Sequence, residues 1–457
     1  MKVRVFRSGN GDALLLTGDT GKHILIDGGV PDAYEAHFAT TLGKLRDKGE
    51  ALELVCVSHI DRDHIGGILK MMDNEVAWRL YEARRANPAL RRRARNKRPR
   101  FKRPPEVKAI WHNGFWEKIR ARKLNRRDVG SSIDVADIMY RQSMIYAGAG
   151  ETRILKDAQG DPSTAQSLAT QMRFLGQSVG DAIELSRRVG SAQLQISLNP
   201  EFGGKFITRK RGQDSFSVGN FDLTVLGPTT AELNELLTEW NDWLEGKESY
   251  LKGLLKKHDR DAGDLANTDL SEIISNAINT AIEFASNQSV TPPNLASIII
   301  LAENDGKSIL LTGDADDPSI IKGLKDQGRL DSNNQILIDI FKVPHHGAHN
   351  SYSDTLARTV LAHDYLFCGN GKHENPERDV INGYLKVLLE GDTSNPPALR
   401  SGVKPTFWFN AGPDLAETIT LRHHWQMLEQ LMTAWQDEHP NKFRYKFMKR
   451  GDSFVVQ

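Results

Sequence analysis

The chain is poor in cysteine, with only Cys56 and Cys368 among 457 residues. Two isolated thiols in apolar surroundings exclude a disulfide scaffold and a cysteine-built zinc finger, and both read as small buried hydrophobes. Long apolar runs are missing too. A stretch such as 297–302, with Ile298, Ile299 and Ile300 at its centre, falls far below the ~18 residues of a membrane span. The first residues, Met1 to Phe6, alternate polar with apolar and turn at Gly9-Asn10-Gly11, the pattern of a strand and not of a signal peptide. No membrane partner is expected, and a cytoplasmic location is. Nor does one sign of charge dominate, since 60 Lys and Arg face 59 Asp and Glu. With a mean hydropathy of −0.47, that balance excludes a disordered tail and describes a globular protein that can bury a core. The length allows roughly two to three domains, or one large domain with insertions.

The neutral total conceals one asymmetry. Arg84, Arg85, Arg91, Arg92, Arg93, Arg95, Lys97, Arg98, Arg100, Lys102 and Arg103 follow one another with no acidic residue between them, which leaves 49 basic against 59 acidic residues elsewhere. A block of one sign in an otherwise acidic chain is an electrostatic footprint for a polyanion, with nucleic acid the leading candidate. A solvated helix and loop is the plainer alternative.

Strand patterns fill the first sixty residues at 3–6, 13–17, 23–26 and 52–57, around one helical stretch at 34–47. From 116 to 214 helix-length periodic segments at 133–147, 162–174 and 181–189 are joined by polar loops. Strand signals return at 215–226, and a second helical run follows from 230. Strands resume at 297–302, 308–312, 336–343 and 365–368, then a helix at 379–389, a strand at 406–409 and a final hairpin of 443–448 with 453–456. The pattern is layered α/β.

The informative segment is Ser58-His59-Ile60-Asp61-Arg62-Asp63-His64-Ile65-Gly66-Gly67, which follows an apolar strand and enters a predicted helix. Positions 59, 61 and 63 are two apart, so an extended strand end presents them on one side, and the bend at the glycines lets His64 converge. Two carboxylates and two imidazoles at the end of a core strand are costly to bury without a cation or a dense hydrogen-bond network. Other apolar strands end in the same residue types, at Asp27, His112, Asp314 and His345-His346, and His373 follows a further one. Strand ends are where catalytic groups collect in layered α/β folds.

In this order Asp27, His59-x-Asp61-x-Asp63-His64, Asp314 and His345 resemble the metallo-β-lactamase superfamily. More narrowly, Gly9-Asn10-Gly11-Asp12-Ala13, Leu25-Ile26-Asp27-Gly28-Gly29, the segment from Ser58 to Gly67, Leu311-Thr312-Gly313-Asp314-Ala315 and His345-His346-Gly347 resemble the hydrolase domain of the competence protein ComEC and its soluble relatives. The resemblance implies a four-layer αβ/βα sandwich with helical insertions: a first core half over 1–115, a mainly helical insertion over 116–214, core strands at 215–229, a second helical insertion over 230–292, the second core half over 293–390, and a C-terminal extension over 391–457.

It further implies two divalent metal ions. His59 and Asp61 would bind one, Asp63 and His64 the other, Asp314 would bridge both, and His345 would complete the second site. His112 is either the remaining ligand of the first site or a structural or substrate-contacting histidine. Asp12 and Asp27 would orient ligands from behind. Asp63, His346 and His373 are the implied catalytic groups, with His373 or His346 protonating the departing oxygen. Asp61 stands where superfamily members commonly have a second histidine. The carboxylate hardens the site and favours Mn²⁺ or Mg²⁺ relative to Zn²⁺; taken with the resemblance, Mn or Zn is expected foremost, with Mg as an alternative. The departure also speaks against β-lactam and thioester hydrolysis. Phosphodiester hydrolysis by metal-activated water fits both the hard site and the basic block, so a nuclease acting on DNA, and on RNA as an alternative, is the leading expectation. Soluble relatives resemble effectors of bacterial antiphage systems, which implies a regulatory protein partner. A small-molecule nucleotide phosphodiesterase and a non-catalytic nucleic-acid-binding scaffold are the competing readings.

Overall fold

A computed structural model describes residues 1–86, 97–113, 181–234 apart from 183, 186, 187, 191 and 192, 296–391 and 395–457. One sheet holds β1 (Lys2–Phe6), β2 (Leu14–Thr17), β3 (His23–Ile26), β4 (Leu52–Val57), β5 (Ala109–His112) and β6 (Ser197–Leu198) in sequential order. The other holds β7 (Phe216–Val218), β8 (Phe221–Gly227), β9 (Ile299–Asn304), β10 (Lys307–Leu311), β11 (Ile336–Lys342), β12 (Val360–Phe367), β13 (Thr406–Phe409) and β14 (Arg444–Phe447), also sequential. The last strand, β15 (Ser453–Val456), returns to the first sheet and lies antiparallel beside β1. The helices are α1 (Ala39–Asp47), α2 (Arg62–Ala86), α3 (Asp317–Asp326), α4 (Asp354–Thr359), α5 (Arg378–Leu389) and α6 (Ile419–Glu438).

Period-two patterning sorts the strand residues into layers. Ile298, Ile300 and Ala302 join a core shared by both sheets, whereas Ile299 and Leu301 face the helices of the second half. Likewise Leu14 and Leu16 point between the sheets, and Leu15 packs with Phe38, Leu42 and Ile68 under the first helical layer. On the opposite side α5 sets Val380, Ile381, Tyr384, Leu385 and Leu388 onto the second sheet at three- and four-residue spacing. Three cores between four layers make an αβ/βα sandwich.

Parallel pairing carries β3, β4 and β5 in one direction within the first sheet, and β10, β11 and β12 in one direction within the second. Loops holding every motif residue from Asp27 to Asp314 and His346 therefore emerge at strand C-termini. Here the sheets are stitched together, with Ile298 N donating to Ser58 O at 2.8 Å. The start of α2 presses against the turn after β3. Gly28 N donates to His64 O at 2.7 Å, and a Cβ at Gly67 would fall 1.8 Å from the Gly28 carbonyl oxygen, so only glycine fits.

One expectation is corrected. Strands β14 and β15 do not form a hairpin, because β14 runs parallel to β13 in the second sheet while β15 closes the edge of the first. A turn at Arg450-Gly451-Asp452 is compatible with either arrangement, and the sheet edge decides. Within the insertion expected at 116–214, residues 181–182, 184–185 and 188–189 are helical, and 193–214 hold β6 and a short 3₁₀ turn at Pro200–Phe202. The helices expected at 133–147 and 162–174, and nearly all of 230–292, lie outside the described residues.

Candidate metal centre

Asp27 ends β3 with a left-handed backbone, φ 54°, and is fully buried. It accepts hydrogen bonds from Ser58 N and Ser58 Oγ, both at 2.7 Å, and its Oδ2 lies 2.8 Å from His64 Nδ1. A carboxylate on Nδ1 fixes the orientation of the ring, so that His64 Nε2 faces the other way.

The second sheet also sets a carboxylate behind a ring, here at ion-pair distance and without a hydrogen bond between the two. After β11 the chain takes left-handed conformations at both His345 and His346, φ 47° and 57°. Strain of about 1–3 kcal/mol at each such residue persists where the surroundings over-determine it, typically at functional sites. His346 Nδ1 lies 3.2 Å from Asp12 Oδ1, and Asp12 Oδ2 is 2.5 Å from the ammonium of Lys342. Lys342 is itself buried and donates to the Gly313 carbonyl at 2.9 Å. The loop carrying Asp12 is tied down through Asn10 Nδ2, which donates to Asp63 Oδ2 at 2.6 Å.

The free faces of these rings converge on Asp314, at the turn after β10. Its Oδ1 lies 3.3 Å from His64 Nε2 and its Oδ2 3.3 Å from His346 Nε2, while the two Nε2 atoms are 3.3 Å apart. Asp314 Oδ2 is also 3.8 Å from His59 Nε2 and from His345 Nε2. Asp61 Oδ2 stands 3.6 Å from His59 Nε2, and Asp63 Oδ2 3.8 Å from His346 Nε2. Donor atoms of Asp12, His64, Asp314 and His346 all fall within 4.8 Å of one another, and all four residues are buried. Asp12 approaches both rings from the Nδ1 side, at 3.9 Å for His64, so it stands behind them.

Electrostatics follow from this crowding. Burial opposes ionisation of Asp314, but His346, His64 and His345 outweigh it and hold the carboxyl well below its usual range. Burial likewise works against a charged His64 or His346, yet Asp314 with Asp27 raises His64 well above its usual value, and Asp314 with Asp12 brings His346 to about 9. Lys342, disfavoured by burial but flanked by Asp12 and Asp314, is pushed up to about 12. Burial, only partly offset by the charge of Asp27, takes His112 down to about 4. Its ring nitrogens and His59 Nε2 are buried with no hydrogen-bond partner among the described residues. Orphaned imidazole nitrogens beside clustered carboxylates form the N/O donor set that a divalent cation satisfies.

The family model of the metallo-beta-lactamase superfamily matches residues 7–133. The two helix-flanked sheets are consistent with that superfamily's sandwich. No curated protein matches the chain at a significant level. In a metallo-β-lactamase-type sandwich, the buried cluster supports a catalytic metallo-hydrolase.

The structure thus brings together Asp12, Asp27, His59, Asp61, Asp63, His64, Asp314, His345 and His346 from opposite ends of the sequence. His112 ends β5, with its backbone held on both sides by the Asn199 side chain at 2.8 and 2.9 Å. Exposed His373 is near enough to Asp63 and His346 for their charges to act on it. The basic block divides. Arg103 turns inward to pair with Glu75 at 2.7 Å and Glu82 at 2.8 Å, and Lys102 pairs with Asp47. Arg103 is thus mostly covered by its partners, whereas the Lys102 pair is exposed. Lys97, Arg98 and Arg100 are exposed, with Arg98 over the Trp78 ring at 5.3 Å. Arg84 and Arg85 lie at the end of α2, and Arg91, Arg92, Arg93 and Arg95 lie outside the described residues. Sequence reasoning gave no role to Lys342, Asn10 or Ser58. A lysine near the end of the apolar strand Ile336–Lys342 was the available signal, since a buried ammonium demands counter-charges.

Proposed function

We propose that the protein is a metal-dependent phosphodiesterase, a nuclease hydrolysing DNA, with RNA as a second polymer substrate, through water activated by two divalent cations. The observation that carries the reading is the convergence of His64 and His346 on Asp314 with a buried carboxylate behind each ring. A cation pair would lower the pKa of water and neutralise charge growing on phosphoryl oxygens. His59, Asp61 and His112 would hold the first cation, Asp63 and His64 the second, and Asp314 offers an oxygen to each side. His373 is held below the usual histidine value by burial and Lys372, and it would protonate the departing oxygen.

A polymer substrate is favoured by the exposed part of the basic block. Asp63 and Arg84 lie on one helix, α2, so about 30 Å separates them at ~1.5 Å per residue. A nucleic-acid backbone spans that distance and supplies phosphates that position it without reacting. The resemblance to effectors of antiphage systems supports a defence role for this nuclease and a protein partner that restrains it.

The deciding assay uses chelated protein resupplied with Mn²⁺, Mg²⁺ or Zn²⁺, on single- and double-stranded DNA and RNA, beside His59→Ala. Metal-dependent cleavage absent from the variant is expected. No cleavage of any polymer by metal-loaded protein would move the reading to a nucleotide phosphodiesterase.

A further inference from the structure

Two adjacent histidines end β11, and sequence order points to the first as the metal-binding one. We infer that His346, rather than His345, is the imidazole of the second metal position, and that Lys342 acts on it through Asp12 as a positioning residue. The inference rests on the two-metal reading above and assigns residues within it.

The left-handed turn sends the two rings apart, their planes 70° from parallel and their centroids 6.0 Å distant. His346 goes inward. Its side chain is 5% exposed against 20% for His345, and its Nε2 reaches both His64 Nε2 and Asp314 Oδ2 at 3.3 Å. His345 Nε2 stays 3.8 Å from Asp314, and its Nδ1 is backed at 3.4 Å by the hydroxyl of Ser351, a weaker orienting group than a carboxylate. Behind His346 stands Asp12 at 3.2 Å, an ion-pair approach without the hydrogen bond that joins Asp27 to His64.

Asp27 is aimed by Ser58, whose N–H and hydroxyl saturate it. Asp12 is aimed by Lys342. With Oδ2 taken by the ammonium, Oδ1 is left turned toward His346 Nδ1. The same ammonium donates to Gly313 O and stands 3.7 Å from Asp314 Oδ1, so one side chain registers both the ring and the bridging carboxylate. A charge buried this deeply persists only where such partners hold it. Partners of this kind typically affect metal affinity by about 10–100-fold.

The test is metal binding, read apart from turnover. Full-length protein is stripped with chelator and dialysed against Co²⁺ or Mn²⁺. Metal per chain is then measured by plasma mass spectrometry, and the visible Co²⁺ spectrum reports imidazole ligation. Wild type should take up two ions, His346→Ala one, and His345→Ala two with an unchanged spectrum. His346→Gln serves if the alanine variant does not fold. Lys342→Met, checked for native circular dichroism, should weaken the second equivalent about 10–100-fold and shift its spectrum, which a merely structural lysine would not do. Loss of an equivalent in His345→Ala, or unchanged affinity in folded Lys342→Met, overturns the inference. Failure of the two-metal reading is distinguishable, because wild type itself would then bind fewer than two ions.

Discussion

Asp27 makes three contacts with two oxygens, to Ser58 N, Ser58 Oγ and His64 Nδ1, without touching the convergence point itself. Its removal would free the His64 ring to rotate and leave the Ser58 N–H unpaired. Asp27→Ala should therefore weaken metal binding by about 10–100-fold, measured by equilibrium dialysis with Mn²⁺. Undiminished affinity would show that Ser58 suffices to hold the ring. Asp63→Ala and His64→Ala, which delete groups facing the cluster, should abolish hydrolysis while circular dichroism stays native. Unchanged turnover with controlled metal would sink the two-metal mechanism.

Helix α2 performs two tasks at its two ends. Its first turn presents Asp63 and His64, and Gly67 allows that turn to lie against Gly28. A methyl group at 67 meets backbone and not a pliable side chain, so Gly67→Ala should destabilise the fold by about 1–3 kcal/mol or more, read from urea unfolding, and should depress metal uptake with it. Further along, Glu75 gathers Arg79 and Arg103. Arg103→Ala should lower stability by about 1–2 kcal/mol, less than for a fully buried pair because water still reaches the guanidinium. Its effect on the salt dependence of DNA binding should be negligible, whereas charge reversal at Lys97, Arg98 and Arg100 should flatten it. Equal effects of both changes on binding would return Arg103 to the interface.

Across the molecule, the site is a seam. Asp27, His59, Asp61, Asp63 and His64 follow strands of the first sheet, and Asp314, His345 and His346 follow strands of the second. Cations held there would join the two halves, so occupancy is coupled to folding. An ion present at 100 times its dissociation constant adds about 2.7 kcal/mol. Chelation should lower the melting temperature of wild type, and Mn²⁺ should restore it, with a much smaller response in His64→Ala. A wild-type melting temperature indifferent to chelator and metal would argue that the seam closes without ions.

Local chemistry made much of this legible along the chain. Period-two alternation reported β1 to β4 and β9 to β13 because each strand buries one face between the sheets and the other beneath helices. Asp27, His59, Asp61, Asp63, His64 and Asp314 stood out because charged and imidazole groups ending apolar strands need a compensating partner. The sequence by itself determined the layers and the donor types, since burial and desolvation act on each segment through its own residues. Only the tertiary structure decided which neighbour of an identical pair turns inward at His345-His346, which cation aims Asp12, where β14 and β15 part company, and which arginines of the basic block face Glu75. Those choices depend on contacts between residues hundreds of positions apart, such as Asp12 with Lys342 and β1 with β15, and no local pattern encodes them.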